Sequence, residues 1–399
     1  MTNPLPPRRT RVLAASGATL ALAAGLLAGT TPVASAERSG TTGSSVSAAA
    51  VAGPAAGEQA RRKKKKLKVV WDSTTFNPGG AGVVAHGKVS GKKRKLALQV
   101  KIKGGWTSFG KTRADRKGNF AISGALDWYG AHKVRITTKG GGKRLSKSTT
   151  ATVVPYYTPR GNPAAYSYIS GMHTERRKAF AFNPCKTLTY AVNYSLVGDT
   201  GLALAQQAMA QVSWATGIKV RYVGPTSNVP HSNYQKPVPN PKGVDLVIAW
   251  GSLAQVPEFQ AQNKAGFGGP VKAVYARNAK GKRVIQTRTA AVTIAAEYFD
   301  PNNQYGFAQS FDSTRQPTQG EILIHEIGHA MGLDHVPSNP EEIMNGVTYL
   351  RYPDGHYRGL YALGDLAGLQ TLGLGEGCTR PIRKGGRREA VVDVPLARD

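Results

Sequence analysis

Acidic side chains are scarce: 23 Asp and Glu stand against 53 Lys and Arg in 399 residues, a formal charge of +30. A surplus of that size implies attraction to polyanions, whether nucleic acid, anionic cell-wall polymer or membrane surface. Cysteine is nearly absent, with only Cys185 and Cys378, and two cysteines cannot build a Cys-rich zinc cluster. No stretch beyond residue 36 is apolar enough to span a bilayer, and no internal repeat is visible. Hydrophobic content, at 40%, is ordinary, so a sizeable core can form, and the length suggests two domains plus tails.

The N-terminus reads as an export signal over residues 1–36. Arg8, Arg9 and Arg11 precede a mostly apolar stretch, residues 12–27, and Ala34-Ser35-Ala36 supplies the small residues that a signal peptidase needs. Richness in Ala, Gly and Ser makes that stretch a poor permanent anchor. The Arg8-Arg9 pair leaves the export route open. A secreted, extracellular or wall-associated protein is expected. In an exported chain a lone cysteine pair is expected as a disulfide, with two buried free thiols as the alternative. Closing so long a loop would stabilise the fold by about 5 kcal/mol on the chain-entropy reckoning.

Residues 37–66 read as a disordered linker of Ser, Gly, Thr and Ala ending in the run Arg61-Arg62-Lys63-Lys64-Lys65-Lys66. That run is either a solvated spacer or a polyanion tether or cleavage site. Residues 67–155 show short β segments (82–89, 96–102, 119–123, 132–138 and 149–154) split by Gly-rich turns. The pattern predicts an all-β sandwich, and the segment resembles the immunoglobulin-like modules found beside secreted bacterial enzymes. Residues 61–155 hold 24 basic and 3 acidic side chains, a net of +21, whereas residues 160–378 hold 19 and 15, only +4. The two halves are therefore expected to face different partners, with 61–155 toward an anionic cell-wall polymer.

A second domain, residues 160–378, mixes strands and helices and predicts an α+β fold. Strands are expected at 188–192, 218–223, 244–250 and 290–296. A helix is expected at 201–215, capped by Asp199 or Thr200 and stopped by Gly217. Thr318, with Glu321 three residues on, has the capping-box spacing of a helix start. A last helix is expected at 362–372 before Gly373. The tail, residues 379–399, is polar and basic and reads as disordered.

The helix begun at Thr318 contains His325-Glu326-Ile327-Gly328-His329-Ala330-Met331-Gly332-Leu333-Asp334-His335. Histidines four apart lie on one helix face, one turn above another, and their nitrogens can meet one ion at about 2.1 Å. Gly332 can adopt a left-handed conformation, ending the helix and swinging His335 back as a third ligand. Three neutral nitrogens and one open position suit a catalytic rather than a structural zinc. Glu326, beside the first ligand but not bound to the metal, is placed to take a proton from zinc-activated water. Three of the chain's eight histidines fall within these eleven residues. Asp334 adjoins a ligand and is expected to support it.

This segment resembles the extended zinc motif of the metzincin metalloproteases, and Gly328 with His335 is most similar to the matrixin branch. The resemblance covers residues 182–378. It implies a twisted sheet over two helices, substrate extended along an edge strand, and Met344, in Glu341-Glu342-Ile343-Met344-Asn345, in a tight turn beneath the metal. Residues 361–372 resemble the matrixins' closing helix, and Asn183-Pro184-Cys185-Lys186-Thr187-Leu188-Thr189-Tyr190 resembles the first strand of related secreted bacterial enzymes. The departures concern regulation and specificity. No cysteine is placed to hold the zinc latent. Gly346 stands where some relatives carry a tyrosine ligand, leaving Tyr349 as a candidate lining of the substrate pocket. The extra histidines of a second, structural zinc site are missing. Calcium would have to be held by Asp245, Asp300 or Asp312, isolated acids that read as surface groups. The function expected is a secreted zinc endopeptidase. The alternative is a cell-envelope polyanion-binding protein with a vestigial zinc site. Nucleic-acid binding is disfavoured by the export signal and the lack of a recognisable nucleic-acid module.

Overall fold

A computed structural model describes residues 67–90, 94–139, 146–169, 179–300, 302, 306–336, 339–346, 351–391 and 394. The expected export signal and linker lie outside these residues. Among the described residues strand exceeds helix, and those from 67 on belong to one compact unit.

The first strands are β1 (Lys68–Ser73), β2 (Val83–Lys88), β3 (Lys95–Ile102), β4 (Gly105–Arg113), β5 (Asn119–Gly124), β6 (Gly130–Lys139) and β7 (Thr149–Val153). One sheet has the order β1-β2-β5. The other runs β7-β6-β3-β4, with the short strand Thr75–Phe76 on the free side of β7. Alternating residues such as Val83 and Ala85, Leu96 and Leu98, Phe120 and Ile122, and Val134 and Ile136 share one buried core, as period-two side chains must when one face is covered. Each β segment expected here forms within a residue or two. Strands β1 and β4 are additions. Neither contains a fully buried residue, although Val69 and Trp71 of β1 and Phe109 of β4 pack against the core from half-buried positions.

Beyond residue 180 the strands are β8 (Leu188–Asn193), β9 (Val220–Pro225), β10 (Leu246–Gly251), β11 (Gly266–Arg277) and β12 (Arg283–Ala295). They form a mixed sheet of order β9-β8-β10-β12-β11, parallel except for the long hairpin of β11 with β12. Strand β8 is buried at every position, as befits a parallel strand covered on both faces. Helices α1 (Gly198–Thr216), α2 (Gln319–Met331) and α3 (Leu363–Leu372) pack with this sheet around one core that includes Val212, Leu246, Ile248, Val292, Leu323, Ile327 and Leu366.

Several expectations are corrected. Helix α1 begins at Gly198 after Val197, and neither Asp199 nor Thr200 caps it. Asp199 instead sits in the first turn, where a negative charge suits the helix dipole. Gly217 does stop the helix, at φ 72. Strand β11 and the first half of β12 escaped the sequence reading, because Gly, Pro and Lys interrupt the alternation of β11, and Gln, Thr and Arg that of β12. Asp245 is no free surface acid: its carboxylate accepts from the Thr189 amide (2.9 Å) and hydroxyl (2.8 Å), tying β8 to β10. Asp312 pairs with His356 (2.6 Å) and Arg358 (3.3 Å), and Asp300 accepts from the Asn302 amide. The three acids thus hold separate local partners.

The tail is not disordered over residues 379–391. Three two-residue strands, β13 (Arg380–Pro381), β14 (Arg383–Lys384) and β15 (Arg387–Arg388), fold it back. Strand β13 pairs with β11 and β14 with β15, and Val391 is buried against Tyr275 and Ile285. A basic composition conceals the backbone pairing available on the edge of β11. The expected disulfide between Cys185 and Cys378 forms, with a Cα–Cα distance of 5.1 Å. Among the described residues no helix is long and apolar enough to cross a membrane.

Candidate metal centre

Helix α2 is positioned from both ends. At its start the Thr318 hydroxyl accepts from the Glu321 amide (3.2 Å) and the Glu321 carboxylate accepts from the Thr318 amide (2.8 Å), the reciprocal capping expected of that spacing. At its end Gly332 takes φ 112, and its amide donates to the carbonyls of Gly328 and His329. A Cβ at Gly332 would lie 1.9 Å from the Phe180 carbonyl oxygen, so the turn admits no other residue. Every residue of α2 is buried. The helix lies directly on β11, where a Cβ on Gly268 would fall 2.1 Å from the Glu326 carbonyl oxygen.

This scaffold brings the three predicted histidines together. Their ligand atoms all lie within 4.8 Å of one another, and among the described residues theirs is the one such grouping of metal-ligating side chains. His335 Nε2 lies 3.2 Å from Nε2 of both His325 and His329. Tetrahedral ligands about 2.1 Å from one ion would be about 3.4 Å apart, so the three nitrogens could hold a metal ion. The tautomers agree. His325 Nδ1 donates to the Ile343 carbonyl (2.6 Å) and His329 Nδ1 to the Leu333 carbonyl (2.9 Å). Carbonyls only accept, so both protons sit on Nδ1 and both Nε2 lone pairs face the shared point. Burial lowers the His325 pKa to about 4, with the His335 and Lys264 charges adding to it and the Ile343 bond opposing it, which keeps the ring neutral and able to ligate at pH 7.

Glu326 is 3% exposed and occupies the same helix one residue beyond His325. Its side chain lies against the bare backbone of Gly266: a Cβ there would come within 2.8 Å of Oε1. Asp334 accepts from the His335 backbone amide (3.0 Å). Tyr349 lies outside the described residues.

Met344 is buried beneath the histidines, and a Cβ on Gly328 would sit 2.3 Å from its sulfur. The glycine between the two helical ligands is thus required by the methionine below it. What holds that methionine was not singled out from the sequence. Asp365, in the first turn of α3, accepts from the amides of Ile343 (2.8 Å), Met344 (3.2 Å) and Ala362 (2.9 Å). Glu342 reciprocates, accepting from Gly364 (2.9 Å), Asp365 (3.1 Å) and Asn162 (2.9 Å). Burial first, and then the Glu342 charge, pushes the Asp365 carboxyl up to about 7, against the pull of its backbone donors. Because the Ile343 carbonyl in turn accepts from His325 Nδ1, the Asp365 carboxylate that holds the Ile343 amide supports that ligand through the turn. The sequence signal of Asp365 was an acid at the N3 position of a helix, which has the same form as an ordinary cap.

Comparison with known proteins adds no assignment: no protein-family profile matches the chain, and no curated protein sequence matches it.

Proposed function

We propose that this chain is a secreted zinc-dependent endopeptidase of the metzincin type, close to the matrixins, carrying an immunoglobulin-like β-domain ahead of its catalytic domain. The observation that carries the reading is the convergence of three Nε2 atoms, two with tautomers fixed by carbonyls, on the same helix that presents buried Glu326. His325, His329 and His335 would hold the ion, with Met344 and its turn as the floor. Zinc bound there supplies Lewis acidity toward a peptide carbonyl and a lowered pKa for water.

The chain's own residues do the remaining work. Glu326 accepts a proton from water and delivers it to the leaving amine, so that one carboxylate serves as base and then as acid. Among the described residues no strand pairs with the outer edge of β11 over residues 266–272, because the tail covers only its far half. An extended peptide can add to that edge antiparallel, its main chain held by amides and carbonyls, beside Gly266 and Gly268, where Glu326 lies.

Digestion of casein with and without 1,10-phenanthroline tests the reading: cleavage should occur and stop when the chelator is added. Glu326→Gln should reduce kcat/KM by about 10²–10⁴-fold while leaving one zinc per chain by elemental analysis. Undiminished cleavage by this variant would remove Glu326 from its role. Absence of cleavage in zinc-loaded protein would favour the second reading, a polyanion-binding envelope protein with a vestigial metal site, which the +21 charge of residues 61–155 supports.

A further inference from the structure

Three segments distant in sequence meet in a cleft of ≈ 710 Å³ remote from the histidines in the chain. They are the β3–β4 turn at residues 102–107, the β11–β12 turn with the end of β11 at 277–281, and the strand-forming tail at 378–383. The charged lining residues are Lys103, Arg277, Arg380 and Arg383, with no acid among them, and Lys103 is already paired with Glu376. The walls are fixed in place. The Lys103 amide donates to the Gly375 carbonyl (2.8 Å), a Cβ on Gly104 would lie 2.8 Å from that of Ala279, and Cys378 is tied to Cys185.

The pairing of these cations is unfavourable in the protein alone. Arg277 stands directly opposite Arg380 in the β11–β13 ladder, and Arg383 opposite Arg388 and Lys384 opposite Arg387 in the β14–β15 hairpin. Directly opposed side chains have Cβ atoms about 5 Å apart, and like charges there are destabilising. Glu389 offsets Lys384 (2.9 Å) and Arg283 (3.1 Å). Among the described residues no carboxylate pairs with Arg277, Arg380 or Arg383. The Arg277–Arg380 pair, with Arg383 beside it, opens on one prebuilt cleft, and an anion there would relieve its repulsion.

We propose that this cleft binds a phosphodiester-linked polymer of polyols or sugars, with Arg277 and Arg380 on one phosphate and Arg383 on the next. The guanidinium fork matches phosphate oxygens in pairs. Three guanidinium groups, Arg277, Arg380 and Arg383, line the cleft, more than one phosphate pairs with in forked fashion, which favours a polymer over a lone ion. The lining argues against single-stranded nucleic acid, which stacks successive bases on aromatic platforms. Trp106 is the one aromatic ring in the cleft, and the Arg135 guanidinium already lies 3.9 Å over it. The site uses none of the zinc machinery, so it stands or falls independently of the peptidase reading.

The test uses the full chain, poly(glycerol phosphate) as the probe and an oligothymidylate of matched charge as the second arm. Arg380→Ser/Arg383→Ser should melt no lower than the unmodified protein in buffer alone, because a repulsion is relieved. It should bind poly(glycerol phosphate) at least about tenfold more weakly, with the log–log salt slope reduced by roughly one to two. Lys95→Ser/Lys111→Ser removes two exposed cations toward the other end of the β3–β4 hairpin and should change affinity by less than about threefold. Should the double-arginine variant fold poorly, Arg277→Ser alone carries the same expectations. Equal losses in the arginine and lysine variants would mean diffuse attraction and overturn the proposal. So would tighter binding of oligothymidylate that the arginine variant abolishes, which would make the occupant a nucleic acid.

Discussion

Gly328 shows how one missing side chain shapes the metal centre. The position lies between two ligating histidines, and its lack of a Cβ admits the Met344 sulfur to the underside of α2. Gly328→Ala should therefore destabilise the fold by roughly 1–3 kcal/mol through overpacking and weaken zinc binding. Thermal melts and competition with a chromogenic chelator measure the two effects. A variant with unchanged melting and affinity would show that Met344 is not seated as described. The ligands and Glu326 were legible in the sequence because their chemistry depends on spacing along one helix and the turn after it. Gly266 and Gly268 were not legible, because what they accommodate is the backbone and side chain of Glu326, some sixty residues away.

Among the elements, the turn at 342–345 and helix α3 are joined by the reciprocal carboxylates of Glu342 and Asp365. Asp365→Ala leaves three buried amides without an acceptor and should cost roughly 3 kcal/mol or more, measured by denaturant unfolding. The same carboxyl gives a pH signature. Its pKa rises from 3.8 to about 7 on folding, so between those values the folded chain binds a proton that the unfolded chain releases. Stability of the metal-free protein should consequently fall as pH rises from about 4 to about 7. Asp365→Asn should flatten that slope, and an unaltered slope in calorimetry would assign it to other groups. Element type was largely legible where apolar residues keep a period, as in β8, β10 and α2. It failed where partners decide structure: β4, which has no buried residue, and the tail strands, whose cations conceal backbone pairing with β11.

At the scale of the whole molecule, the elements on the two sides of residue 155 are joined within one compact unit. The Tyr129 amide donates to the Trp214 carbonyl (2.7 Å), Gln370 donates to the Tyr129 carbonyl (2.9 Å), and Trp128 of the first core packs against Gly217. No sequence periodicity encodes such contacts. The disulfide closes a loop with a sequence separation of 193, and replacing both cysteines by serine should destabilise the fold by about 5 kcal/mol, read as a lowered melting temperature. An unchanged melting temperature would mean that the reduced, unfolded chain retains the constraint by other means. The account depends most on metal held by three imidazoles, and zinc titration with X-ray absorption of the full chain measures that directly. One equivalent of zinc in an all-nitrogen and oxygen shell, lost in both His325→Ala and His335→Ala, is the predicted result. No bound zinc, or zinc retained at full stoichiometry by both variants, would contradict it.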